Sequence, residues 1–265
     1  MNSLMPAGPQ NLSLTFTPNN LEKYSSAKDR VQLTVTPAAT SSSVASSQNP
    51  STFGQPVTFT ATVASSGGMP TGPVTFKDGS TMLGTGTLKA GAATLTTSTL
   101  AVGSHSITGV YGGSKNFASS TSPILTQVVN QAGTSTAVTS SQDPSTFGQS
   151  LTFTATVTSS GGIPTGTVTF KDSSATLGTA TLGGGQATIS TSTLSIGSHP
   201  ITAVYADSTD FSGSTSPVLT QVVNHGRAVI NSQSESPSAW VAVDVGICNG
   251  DHQPALKVFC FITRA

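Results

Sequence analysis

A block of sequence that returns once, almost unchanged, governs what this chain can fold into. SSQNPSTFGQPVTFTATV starts at Ser46 and SSQDPSTFGQSLTFTATV starts at Ser140, an offset of 94 residues. The same offset relates Phe76 to Phe170, His105 to His199, Tyr111 to Tyr205 and Asn130 to Asn224, with no insertion or deletion. About two-thirds of the positions are identical between the copies. A period this long exceeds that of a solenoid unit, which cannot bury a core of its own. It suits one autonomous domain per copy.

Within a copy the apolar residues alternate. Val57, Phe59, Ala61 and Val63 are spaced by Thr58, Thr60 and Thr62, the pattern of a half-buried strand with threonine towards water. Val74 and Phe76 form the next strand, ending at the hairpin signal Asp78-Gly79. Leu83 and Leu88 fall in the returning strand, Ala93 and Leu95 in another, and His105, Ile107, Gly109 and Tyr111 share one face of a strand after Gly103. A first strand around Val44 and a last from Ile124 to Val129 bring the count to about seven, the number in a sandwich. Dense turn residues, such as Asn49-Pro50 and Gly67-Gly68, separate them. The fold class is therefore all-β, as tandem antiparallel β-sandwiches. Copy two keeps the pattern with swaps that read as core-conserving: Leu151 for Val57, Ile189 for Leu95, Val218 for Ile124. The junction from Val129 to Thr134 is short, with about six residues expected between strands.

The motifs NPSTFGQPVTFTATV, PTGPVTFKDG, LGTGTL, STLAVGSHSITGVY and NFASSTSPILTQVVN resemble those of bacterial immunoglobulin-like (Ig-like) domain repeats. The resemblance covers 38–224. It implies Ig-like sandwiches in a secreted or cell-surface bacterial protein, serving as spacers, stalks or adhesive modules.

The expected organisation has four parts. Residues 38–130 and 131–224 are the two repeats. Residues 1–37 read as the C-terminal remnant of an upstream repeat, with Leu12, Leu14 and Phe16 alternating, Tyr24 matching Phe117, and Val31, Leu33 and Val35 as a last strand. Residues 225–265 leave the pattern and stay unassigned. Both outer parts are expected to be poorly ordered.

Composition narrows function. Ten basic and ten acidic residues cancel, and charged residues are only 8% of the chain. Nucleic acid needs a basic surface, so it is not an expected partner. No apolar run is long enough for a membrane-spanning helix, and the first ten residues do not form a signal peptide. The expected location is extracellular or at the cell surface, with any export signal outside this sequence.

Each candidate chemistry has a plainer reading. Ser104 and His105 suggest a hydrolase, but neighbours on a strand point to opposite faces, and His105 reads as a rim histidine bonded to a loop. Asp207 and Asp210 suggest calcium, yet copy one has Gly113 and Asn116 there, and calcium wants six or more oxygens. Lys77-Asp78 and Lys171-Asp172 invite comparison with an isopeptide crosslink, but a lysine beside a turn is ordinarily exposed. The Thr58-Thr60-Thr62 row is a hydroxyl stripe of the kind found on any solvent-facing strand. Phe53 and Phe117 sit beside turns and plug the sandwich ends rather than forming a sugar platform. Cys248, His252 and Cys260 have no zinc-site spacing; a Cys248–Cys260 disulfide and two free thiols are both open. No catalytic, cofactor-binding or metal-binding residue is assigned, no cofactor is expected, and the chain reads as a non-enzyme. Two functions emerge: a structural spacer whose partners are neighbouring Ig-like repeats, or an adhesive or carbohydrate-binding module contacting glycan, matrix or another cell.

Overall fold

The computed structural model describes residues 5–20 and 22–226. Among these there is no helix. The first two strands, β1 (Gly8–Phe16) and β2 (Ala27–Val35), form a separate antiparallel hairpin in register from Gly8↔Val35 to Phe16↔Ala27. Leu12, Leu14, Phe16, Val31 and Leu33 lie on one face of it and are all exposed. The expected alternation is present, but among the described residues no second sheet covers it.

Repeat 1 contains β3 (Ser41–Ser46), β4 (Ser51–Thr52), β5 (Val57–Ala64), β6 (Pro73–Asp78), β7 (Thr81–Thr87), β8 (Ala92–Thr97), β9 (Gly103–Tyr111), β10 (Ser120–Thr121) and β11 (Leu125–Asn130). Repeat 2 restates them as β12 (Thr134–Ser140), β13 (Ser145–Thr146), β14 (Leu151–Ser159), β15 (Thr167–Asp172), β16 (Ala175–Thr181), β17 (Gln186–Thr191), β18 (Gly197–Tyr205), β19 (Ser214–Thr215) and β20 (Leu219–Asn224). Each repeat thus has the seven expected long strands plus two of two residues. In repeat 1 one sheet runs β3-β5-β8 and the other β4-β11-β9-β6-β7, with β10 on β9; repeat 2 has the same order. All pairings are antiparallel except the short β4 on β11 and β13 on β20, which are parallel.

The threonine spacing produces this sandwich. Along β5, Val57, Phe59, Ala61 and Val63 are buried while Thr58, Thr60 and Thr62 face outward, and Val74, Phe76, Ile107 and Tyr111 meet them from the opposite sheet. Burying each large apolar side chain contributes about 1.5–3 kcal/mol. Repeat 2 builds its core from Leu151, Phe153, Ala155, Val157, Val168, Phe170, Ile201, Ala203 and Tyr205. The buried tyrosines satisfy their hydroxyls locally: Tyr111 donates to the Thr71 carbonyl and Tyr205 to that of Thr165.

The structure corrects three sequence readings. Ile124 and Val218 are not core residues; they are 66% and 60% exposed. The last strand begins one residue later, at Leu125 and Leu219, and its alternation turns Leu125, Gln127 and Val129 inward. Leu88 lies just past the end of β7, although it is buried. The junction is shorter than expected, because β12 starts at Thr134 and only 131–133 separate it from β11.

Candidate functional site at the ends of the repeats

Each sandwich has a leading end, where the chain arrives, and a trailing end, where it leaves. At the leading end of repeat 2, Ala132 bridges Phe211, and its N–H donates to the Asp210 carbonyl at 2.9 Å. At the trailing end of repeat 1, the Phe53 N–H donates to the Asn130 carbonyl at 2.9 Å. These two ends meet. The rings of Phe53 and Phe211 lie 5.6 Å apart at 80°, an edge-to-face pair. Phe53 packs against the cores of both repeats. Beside it the backbones nearly touch: a Cβ on Gly161 would fall 2.6 Å from the Phe53 carbonyl oxygen, and one on Gly54 would collide with the Gly161 carbonyl. Only glycine permits that approach at either position. The expectation that Phe53 and Phe117 plug sandwich ends agrees with this placement. What sequence reasoning missed is that one plug serves two domains.

The histidine sites lie at the rims. His105 Nδ1 is 2.7 Å from Asp78 Oδ2 and its Nε2 is 2.8 Å from the Ala101 carbonyl oxygen. His199 repeats this with Asp172 and the Ser195 carbonyl at the same distances. Both ring nitrogens face acceptors, so the protonated ring satisfies the site best. Burial works against the charge, but the backbone carbonyl and the neighbouring carboxylate outweigh it, and both histidines are held above their ordinary pKa. Asp78 also accepts the Ser106 N–H at 2.9 Å; Pro200 stands at that position in repeat 2 and has no N–H to give. Ser104 is exposed on β9 and is not among the groups bonded to His105. Sequence reasoning missed Asp78 as the partner of His105; the one signal towards it was that Asp172 and His199 recur together at the same offset.

The remaining candidates stay apart. Asp207 accepts the Gly213 N–H at 2.6 Å and so caps its own loop. No group of three or more metal-ligating residues occurs among the described residues. Thr58 and Thr96 exchange a hydrogen bond of 2.8 Å across β5 and β8, so part of the hydroxyl stripe is used internally. Beside Phe147 lies a shallow depression lined by Gly148, Gln149, Leu151, Leu194 and Val223 with no enclosed volume. Cys248, His252 and Cys260 lie outside the described residues.

The group 3 bacterial Ig-like domain matches residues 43–130 and 138–224. No curated protein matches the chain in sequence. Among solved structures it is similar to the fibronectin(III)-like modules of Clostridium thermocellum CbhA, at 21% identity and a TM-score of 0.33 over 72% of this chain and 99% of that one. It is similar to the Escherichia coli adhesin FdeC, at 14% identity and 0.30 over 84% and 87% of the two chains. It is also similar to the Yersinia pseudotuberculosis adhesin InvE, at 19% identity and 0.30 over 66% and 58%.

Proposed function

We propose, because this chain belongs to the group 3 bacterial Ig-like domains, that it is a non-catalytic spacer segment of a secreted or cell-surface bacterial protein. The observation that carries this reading is the junction. Phe53 packs into both cores across a linker of three residues, with glycines at the closest approach. A pair joined this way transmits position from one end to the other, as a stalk requires. Neighbouring repeats are its natural partners. Charge offers little for steering a ligand, since the formal net charge is zero. Among the described residues no helix is long and apolar enough to cross a membrane.

The test is small-angle scattering on the full chain. Nine-residue strands give about 30 Å of sheet per repeat, and end loops bring each repeat to roughly 35–40 Å. Two repeats end to end then span about 70–80 Å, and the full chain must reach at least that. A maximum dimension near 50 Å would mean that the repeats fold back, and the spacer reading would fall. Saturable binding to one class of extracellular glycan or matrix protein, lost on changing the repeats' loops, would favour the adhesive reading instead.

A further inference from the structure

The zero net charge is the sum of two unlike repeats. Repeat 1 holds Lys77, Lys89 and Lys115 against Asp78, a net +2; repeat 2 holds Lys171 against Asp143, Asp172, Asp207 and Asp210, a net −3. Five equivalent positions produce the difference: Asn49 and Asp143, Lys89 and Gly183, Gly113 and Asp207, Lys115 and Thr209, Asn116 and Asp210. All five differ in the same direction, in copies that are otherwise about two-thirds identical. Four of the five lie at the leading ends. Lys89 opens the tight turn to Ala92, whose Gly91 carbonyl takes the Val63 N–H at the end of β5. Lys115 lies in the loop on which the incoming Ala38 N–H bonds the Asn116 carbonyl. Asp207 and Asp210 lie in the equivalent loop of repeat 2, where Ala132 arrives. Both lysines and Asp207 are exposed, and Asp210 is half-buried. The only ion pairs among the described residues are Asp78–His105 and Asp172–His199, so these four end charges have no ion-pair partner within the chain.

We infer that the basic leading end of repeat 1 and the acidic leading end of repeat 2 are the two halves of a self-association surface, and that the partner is a second copy of this chain. Lys89 and Lys115 of one copy face Asp207 and Asp210 of the other. The two leading ends of one chain are roughly 35–40 Å apart, one repeat length. Two antiparallel copies offset by one repeat therefore make the contact twice and leave neither end unmatched, which closes the assembly as a pair. A series of parallel copies makes the contact once for each chain added. Exposed charges contribute little individually and are screened by salt, so the pair is weak and forms best at low ionic strength. The inference does not rest on the spacer reading, which concerns the contact within one chain.

The experiment is sedimentation equilibrium on the full chain and two variants of opposite charge. The acidic variant carries Lys89→Glu and Lys115→Glu. The basic variant carries Gly183→Lys, Asp207→Gly, Thr209→Lys and Asp210→Asn, each the residue that repeat 1 has at the equivalent position. The unaltered chain should form pairs at low salt. Raising the salt from 0.01 M to 0.15 M shortens the screening length from about 30 Å to about 8 Å and should weaken the pair by at least about tenfold. Each variant alone should stay monomeric, because like charges then face one another, and an equimolar mixture of the two should pair again. A control with Lys77→Glu and Lys171→Glu changes the net charge as much as the acidic variant does but leaves both leading ends intact, and it should still pair. Calorimetry of each variant confirms that both repeats are folded. An unaltered chain that is monomeric up to about 1 mM at low salt overturns the inference. So does assembly that grows beyond two copies, a mixture of folded variants that fails to pair, or a control that loses association as fully as the acidic variant. The spacer reading survives any of these outcomes, since every variant keeps the Phe53 junction.

Discussion

Repeat 1 and repeat 2 bury the same residues inside and differ at their ends. Phe59 and Phe153, Phe76 and Phe170, and Tyr111 and Tyr205 are each at most 1% exposed. Phe53 and Phe147 occupy equivalent positions with the same backbone bond, yet one lies between two cores and the other faces solvent. The interior of a sandwich is set by its own alternation, whereas the fate of an end residue is set by the neighbouring domain. The hairpin β1–β2 makes the same point: its alternation matches that of β9–β11, but its apolar face is exposed, with no second sheet over it among the described residues.

The largest effect separates the interiors. Phe59→Ala should destabilise repeat 1, and Phe153→Ala repeat 2, by about 3–5 kcal/mol each. Calorimetry of the full chain should show one transition moving in each variant while the other keeps most of its stability. Collapse of both transitions together would make the pair a single cooperative unit.

Next come two exchanged turns. Ser173 holds φ +53° where repeat 1 has Gly79, and Ala90 holds φ +50° where repeat 2 has Gly184. A side chain in the left-handed region costs about 1 kcal/mol. Ser173→Gly should therefore stabilise repeat 2, and Ala90→Gly repeat 1, each by about that amount. Denaturant unfolding read by transition midpoint checks the sign.

At the ends, Phe53→Ala should cost more than Phe147→Ala, by the apolar contact Phe53 makes with both cores plus about 0.5–1.5 kcal/mol for the edge-to-face pair with Phe211. Equal costs would mean that the contact with Phe211 adds nothing to stability.

The smallest effect is pH dependence. Both histidines have folded pKa values raised above 6.5, so their stabilisation is fully present below pH 6.5 and is lost as pH rises through the folded values. Each repeat should melt lower above that window, and His105→Gln should flatten the profile of repeat 1 alone. The Ser106 N–H bond to Asp78, absent at Pro200, makes repeat 1 the better-anchored site.

Much of the interior was legible because threonine and apolar residues alternate without a break, as along Val57–Val63. The misreading at Ile124 came from apolar identity overriding phase: one residue of shift at the start of β11 moves a side chain to the other face. The rim role of His105 followed from strand position, but its partner Asp78 did not, because it lies on β6, reached only through the register Asp78↔Ile107. The double duty of Phe53 was hidden for a different reason. A phenylalanine beside a turn announces that an end is covered, not which domain shares the cover.

The central claim is that the two repeats are fixed to one another through Phe53, Gly54, Gly161 and Phe211. Residual dipolar couplings of the full chain in one alignment medium test this most directly. The account predicts that couplings from 41–130 and 134–224 fit a single alignment tensor, and that Phe53→Ala splits it into two. Two unequal tensors in the unaltered chain would contradict it, since the repeats would then be reorienting independently across the linker.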